Sequence, residues 1–185
     1  MTTLLIHDEI EDIPRELMAE PLDWFFAEHF RHRQFCRLMN EVAVAHVFDG
    51  ERITRLVEFL RNDLPLHIID EEQDLFPLLR RRVLPEDEVE QALGMLSAEH
   101  KADALAAQQV RDCLEDCLAK QAAPGMDPAS RKVLQGFATQ ELRHLALENA
   151  VILPIARLRL SPQDLESMSR RLAARRGIVL ESTHR

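Results

Sequence analysis

Tyrosine is absent from this chain of 185 residues, and tryptophan (one), cysteine (three) and glycine (five) are scarce. Long β-branched runs are missing too. Leu, Ala, Glu and Arg dominate instead, and these are strong helix formers, so an all-α protein is expected. Three cysteines, Cys36, Cys113 and Cys117, are too few and too odd for a disulfide framework. Buried, reduced thiols are the reading they support. No run of about eighteen apolar residues is present, which argues against a membrane span. The N-terminus has no basic-then-apolar signal segment, and a cytoplasmic protein is expected. Positive charge is in deficit: the formal net charge is -9, which argues against a nucleic-acid partner.

What is there is helical periodicity. Residues 1–20 mix charges and apolar side chains without a period and read as an N-terminal arm with one short turn at most. A first helix starts at Pro21, where a missing N–H costs nothing, and is punctuated by Asp49-Gly50. A second runs from about Glu51 to Arg81, with Pro65 expected to kink or interrupt it just before His67. After Leu84-Pro85 a third runs from about Glu86 to Gln121, and Asp127-Pro128 opens a fourth that reaches about Arg159. Ser161-Pro162 starts a shorter fifth helix that ends near Gly177. Long helices with short loops predict an antiparallel up-down-up-down four-helix bundle over 21–159, with a C-terminal helix and tail over 160–185.

Arginines cluster at Arg80-Arg81-Arg82 and at Arg170-Arg171 with Arg175-Arg176; both read as solvated helix ends. The second set is also a candidate surface for a protein partner. Apolar positions on the same helix are candidates for a homodimer contact.

The chemistry lies in a repeat. Ala27-Glu28-His29 recurs as Ala98-Glu99-His100, and His67-x3-Glu71-x5-Pro77 recurs with identical spacing as His144-x3-Glu148-x5-Pro154. Residues i and i+4 share one helix face, so His67 and Glu71 reach a common point, as do His144 and Glu148. In a bundle the other two long helices add His29 and His100. The result is a centre of four imidazoles and two carboxylates. Imidazole suits Fe, Zn, Cu and Ni, while a carboxylate favours harder ions and can bridge two of them. Six side chains are too many for one tetrahedral zinc. They are a natural set for two iron ions bridged by Glu71 and Glu148. Left without a metal, each such buried group would carry a desolvation cost of about 1–3 kcal/mol.

With Leu75-Phe76-Pro77 and Leu153-Pro154 closing the two signatures, the pattern resembles the hemerythrin-like family, the HHE cation-binding domain, over about residues 21–159. The resemblance implies a four-helix bundle around a non-haem di-iron centre. It also implies binding, sensing or handling of O2, nitric oxide or peroxide, or a part in iron homeostasis. On that reading His29, His67, His100 and His144 are terminal ligands. Two departures stand out. Oxygen carriers of the family have a second histidine four residues after the one at His100, where this chain has Ala104. Their second bridging carboxylate is an aspartate five residues after the last-helix histidine, whereas Glu148 follows His144 by four. His32 is a candidate replacement ligand or a solvent-facing residue, and Glu28, Glu72 and Glu99 are candidate fillers or partners of the ligands.

A ferritin-like pattern needs Glu-x-x-His on two helices; Glu141-x2-His144 supplies one and Leu64 breaks the other. No phosphate loop or serine elbow occurs. His7, His46 and His184 fall outside the repeat and read as surface residues. Spacing leaves the metal open among Fe, Mn and Zn, and leaves open whether the protein senses, stores or catalyses.

Overall fold

The computed structural model describes residues 10–180. Among them there are helices and no strands. Helix α1 spans Pro21–Val44, α2 Gly50–Asp70, α3 Phe76–Arg82, α4 Glu90–Lys120, α5 Pro128–Leu147, α6 Leu153–Arg159 and α7 Pro162–Arg175. Four long rods result, because α2 passes into α3, and α5 into α6, through one wide π-turn each. The rods form a ring of neighbours: α1 packs on α2 and α5, and α4 packs on the same two. Helix α7 lies against α1 and the π-turn that follows α2.

The starts are chemically marked. Asp49 accepts a hydrogen bond from the Arg52 amide at 3.1 Å, so it caps α2 instead of closing α1. Helix α1 already stops at Val44, five residues short of the expected end, because the Ala45 carbonyl turns to accept the Gly125 amide at 3.1 Å. Asp127 caps α5 through the Ala129 and Ser130 amides, and Ser161 caps α7 in a box with Asp164. Helix α4 begins at Glu90, later than expected. Pro85–Asp87 forms a separate 3-10 turn, and Glu88 is left-handed at φ 48. Asp87 is spent on the Leu84 amide (2.7 Å) and on Arg159 (2.7 Å), which holds this turn apart from the helix.

Pro65 does not interrupt α2, which runs on to Asp70. The irregularity comes later. Glu71–Leu75 and Glu148–Ile152 are the π-turns, in which the Phe76 and Leu153 amides reach back five residues to the carbonyls of Glu71 and Glu148. Pro77 and Pro154 follow directly. A proline in a regular helix lacks one donor and crowds the carbonyl four residues back. A wider turn just before it relieves that crowding. The repeated x5-Pro spacing is therefore a structural signal: it places each π-turn at its glutamate.

Two separate apolar clusters fill the bundle. One joins Phe25, Phe76, Leu93, Leu153 and Met168 at the α7 end. The other joins Phe35, Leu56, Leu60, Leu114 and Phe137 at the opposite end. On every rod the polar residues of the repeat lie between the two. The apolar side of α7, expected to be free for a dimer, faces inward: Met168, Leu172 and Ala173 are buried.

Of the N-terminal arm, residues 10–20 are tied down. Arg15–Ala19 forms a 3-10 turn whose Met18 is buried, and the Glu11 amide donates to Gln34. His7 and His184 lie outside the described residues; His46 is exposed.

Candidate metal centre

The repeat delivers its six side chains to one point. Helix α1 supplies His29, α2 His67, α4 His100 and α5 His144, while Glu71 and Glu148 open the two π-turns. All six are buried. They form two overlapping groups able to hold a metal ion. His29, His67, Glu71 and Glu148 make one; His100, His144 and the same two glutamates make the other. Glu71 turns Oε1 toward His29 and His67, at 3.7 and 3.6 Å, and Oε2 toward His100 at 3.2 Å. Glu148 turns Oε2 toward His29 at 3.4 Å and Oε1 toward His144 at 3.0 Å. Each carboxylate thus offers one oxygen to each group.

Every histidine points Nε2 inward because its Nδ1 is held from outside. Glu28 holds His67 at 3.2 Å and Glu99 holds His144 at 3.0 Å. Glu72 holds His100 at 2.7 Å and Asn149 holds His29 at 3.0 Å. These partners follow the repeat. The glutamate of each Ala-Glu-His triplet serves the histidine of its own half. The residue after each central glutamate, Glu72 or Asn149, serves the histidine of the other half. Such partners fix the ring orientation and raise the basicity of the inner nitrogen. Asn149 escapes a search for ionisable residues, although its register beside Glu148, matching Glu72 beside Glu71, marks it.

The electrostatics show how much charge is enclosed. Burial works against a charged His67, but Glu71 and Glu28 outweigh it and raise the ring to about 10. Burial likewise opposes charge on His144, and Glu148 and Glu71 raise it to about 10. Burial favours protonation of Glu71, yet His67 and His100 hold it well below the usual carboxylate range. Glu148 is pushed up, by burial and then by the Glu71 charge. Two facing carboxylates that part in this way share one excess of negative charge.

His32 is neither solvent-facing nor a member of either group. It is buried, bonds Glu141 at 2.6 Å and packs at a tilt against His67 with ring centroids 4.4 Å apart. Glu141 is thereby a partner of His32, which explains the solitary ferritin-like spacing. The arginines of α7 are not a free surface either. Arg171 and Arg175 reach the buried Asp74, Arg175 and Arg176 reach the buried Asp70, and Arg176 also pairs with Glu28 at 2.8 Å. Only Arg170 of this set is largely exposed, pairing with Glu166. Asp70 and Asp74 carry no signal in the sequence, where they look like part of a solvated acidic run.

The donor set fits a metal. His29 Nε2, His67 Nε2, both Glu71 oxygens and Glu148 Oε2 are buried without a hydrogen-bond partner. Buried polar groups are seldom left so, and each costs about 1–3 kcal/mol. His100 Nε2 faces His144 Nε2 at 3.1 Å, where two lone pairs oppose unless a proton or a cation lies between them. Divalent cations satisfy all these atoms together.

The family model described as hemerythrin HHE cation binding domain matches residues 20–156, well over half of the chain. The chain therefore belongs to the hemerythrin HHE cation-binding family, and it is a metal-binding protein by family and by donor set. No curated protein and no solved structure matches it. No helix among the described residues is long and apolar enough to cross a membrane.

Proposed function

We propose that the protein is a hemerythrin-like non-haem di-iron protein of the cytoplasm that binds or senses O2 or a related small molecule such as nitric oxide or peroxide. His29 and His67 would hold one ion and His100 and His144 the other, with Glu71 and Glu148 bridging. The observation that carries this reading is the sharing of both glutamates by the two four-residue groups. The rods are read as an antiparallel up-down-up-down bundle, the arrangement that brings both halves of the repeat face to face.

When bound, a pair of iron ions supplies electrons one at a time and a Lewis-acidic place for a small ligand. The chain's own residues do the rest. Glu28, Glu72, Glu99 and Asn149 orient the four rings before any ion arrives. The two apolar clusters keep bulk water from either end. At position 104 an alanine stands where oxygen carriers have a histidine, which leaves the His100 side short of one donor. That shortage supports a second reading, turnover of peroxide or nitric oxide.

The test is metal content with the visible spectrum, before and after O2 is added to anaerobically reduced protein. About two irons per chain and an O2-dependent charge-transfer band that disappears on deoxygenation are expected. Irreversible oxidation of both irons would favour turnover or redox sensing. No metal after reconstitution would overturn the proposal, and retention of both irons in Glu71→Ala and Glu148→Ala would overturn the bridging roles.

A further inference from the structure

A cavity of about 310 Å³ lies between α2 and α4, on the flank of the metal centre. Its inner end is His100. Its far end is Arg111, eleven residues along α4, or about 16 Å at the helical rise. Between them the α4 side is Ala104 and Ala107, with Gln108 next to Arg111, and the α2 side is apolar, with Leu60, Leu64 and Ile68 among its residues. A longer side chain at either alanine would fill the space. The cavity is therefore a long apolar trough with an imidazole at one end and a guanidinium at the other.

The guanidinium is only loosely paired with a carboxylate, which leaves charge to offer an anion. The carboxylate nearest Arg111 is Glu115, at 3.7 Å, and Glu115 is already engaged by Arg61 at 2.7 Å. Gln108, beside Arg111, accepts from Arg111 through its carbonyl oxygen and donates its amide N–H to Asp112. Two cations thus share one close carboxylate, with Asp112 turned to the amide.

Size and shape narrow the occupant further. An apolar cavity of ~150 Å³ holds a benzene, so this one takes roughly ten to a dozen non-hydrogen atoms. Length, apolar walls and one cationic end select a linear molecule with one anionic head. We infer that the trough between α2 and α4 is a binding site for a medium-chain monocarboxylate, its head on Arg111 and its tail end against His100. The site follows from the lining alone and stands whichever metal occupies the centre.

The test is calorimetric titration of the full chain, metal-loaded and metal-free, with hexanoate, octanoate, decanoate and dodecanoate. Saturable one-to-one binding is expected, strongest for the middle members. Ala104→Phe and Ala107→Phe, on exposed and half-buried helix positions, should each weaken it about tenfold or more, with helix content unchanged. Arg111→Gln should weaken decanoate about tenfold and leave decanol unaffected. The absence of saturable binding, or binding indifferent to both alanine variants, overturns the site. Equal loss of decanoate and decanol in Arg111→Gln overturns the orientation. Binding retained by metal-free protein would uphold the trough even where the di-iron reading fails.

Discussion

Glu72 and Asn149 hold the same place in the two halves of the centre. Each follows a central glutamate on a π-turn, and each fixes the outer nitrogen of a histidine on the neighbouring rod. One is a carboxylate at 2.7 Å and the other a neutral amide at 3.0 Å. A charged partner makes the inner nitrogen the better donor, so in the proposed two-ion centre the two positions would be unequal.

Glu72→Ala should therefore lower affinity for one of the two ions by about 10–100-fold, and Asn149→Ala should cost the other ion less. Stepwise metal titration with separate Kd values reads this directly. Equal losses in both variants would contradict the asymmetry.

Proton release should accompany metal uptake. In the metal-free chain, burial opposes charge on His67 and His144, but the carboxylates around them raise both from 6.5 to about 10. Both rings should then carry a proton at pH 7, and ligation through them would expel it. Calorimetry in buffers of different ionisation enthalpy should show about two protons leaving per chain. Stability of the metal-free chain follows the same sign. A folded value above the unfolded one stabilises fully below pH 6.5, and the contribution is lost as pH rises through about 10. Its Tm should fall across that window, and a flat Tm would contradict the assignment.

Removal of an α7 arginine should be costly. Arg175→Ala leaves Asp70 and Asp74, both buried, short of a partner. Arg176 stays on Asp70 and Arg171 on Asp74, so the loss should be about 1–3 kcal/mol, below that of a buried charge left with no partner, and readable by denaturant unfolding. Arg176→Ala should add a second effect, weaker metal binding, because Arg176 also holds the Glu28 that positions His67. A cost under about 1 kcal/mol for Arg175→Ala would mean that water replaces the guanidinium.

Gly125→Ala should destabilise by about 1–3 kcal/mol. A Cβ there would collide with the backbone of Val44 and Ala45, where the turn between α4 and α5 seats on the end of α1. Backbone cannot step aside as a side chain can. Thermal unfolding checks this, and an unchanged Tm would show that the loop shifts freely.

The sequence was most informative where it repeats itself. Identical spacing brought out His67, Glu71, His144 and Glu148 together, and helix-start residues located most of the rods. It was misleading where polarity alone was the guide. Arg171, Arg175 and Arg176 look solvated until α7 is laid on the π-turn, because only tertiary packing reveals the buried Asp70 and Asp74 opposite them. His32 sits between two arginines in sequence, yet a helix turn sends it inward to Glu141. Pro65 looked like the breaker, but the break falls before Pro77, where a wider turn places Glu71.

The separation of the two apolar clusters by a layer of enclosed charge bears on cooperativity. Without an ion, the ends are joined through the region least suited to stay closed, and that layer should exchange its amide hydrogens before either end does. With ions in place, the weakest stratum becomes the clasp. Metal occupancy then determines whether this chain comes apart as one unit or as two.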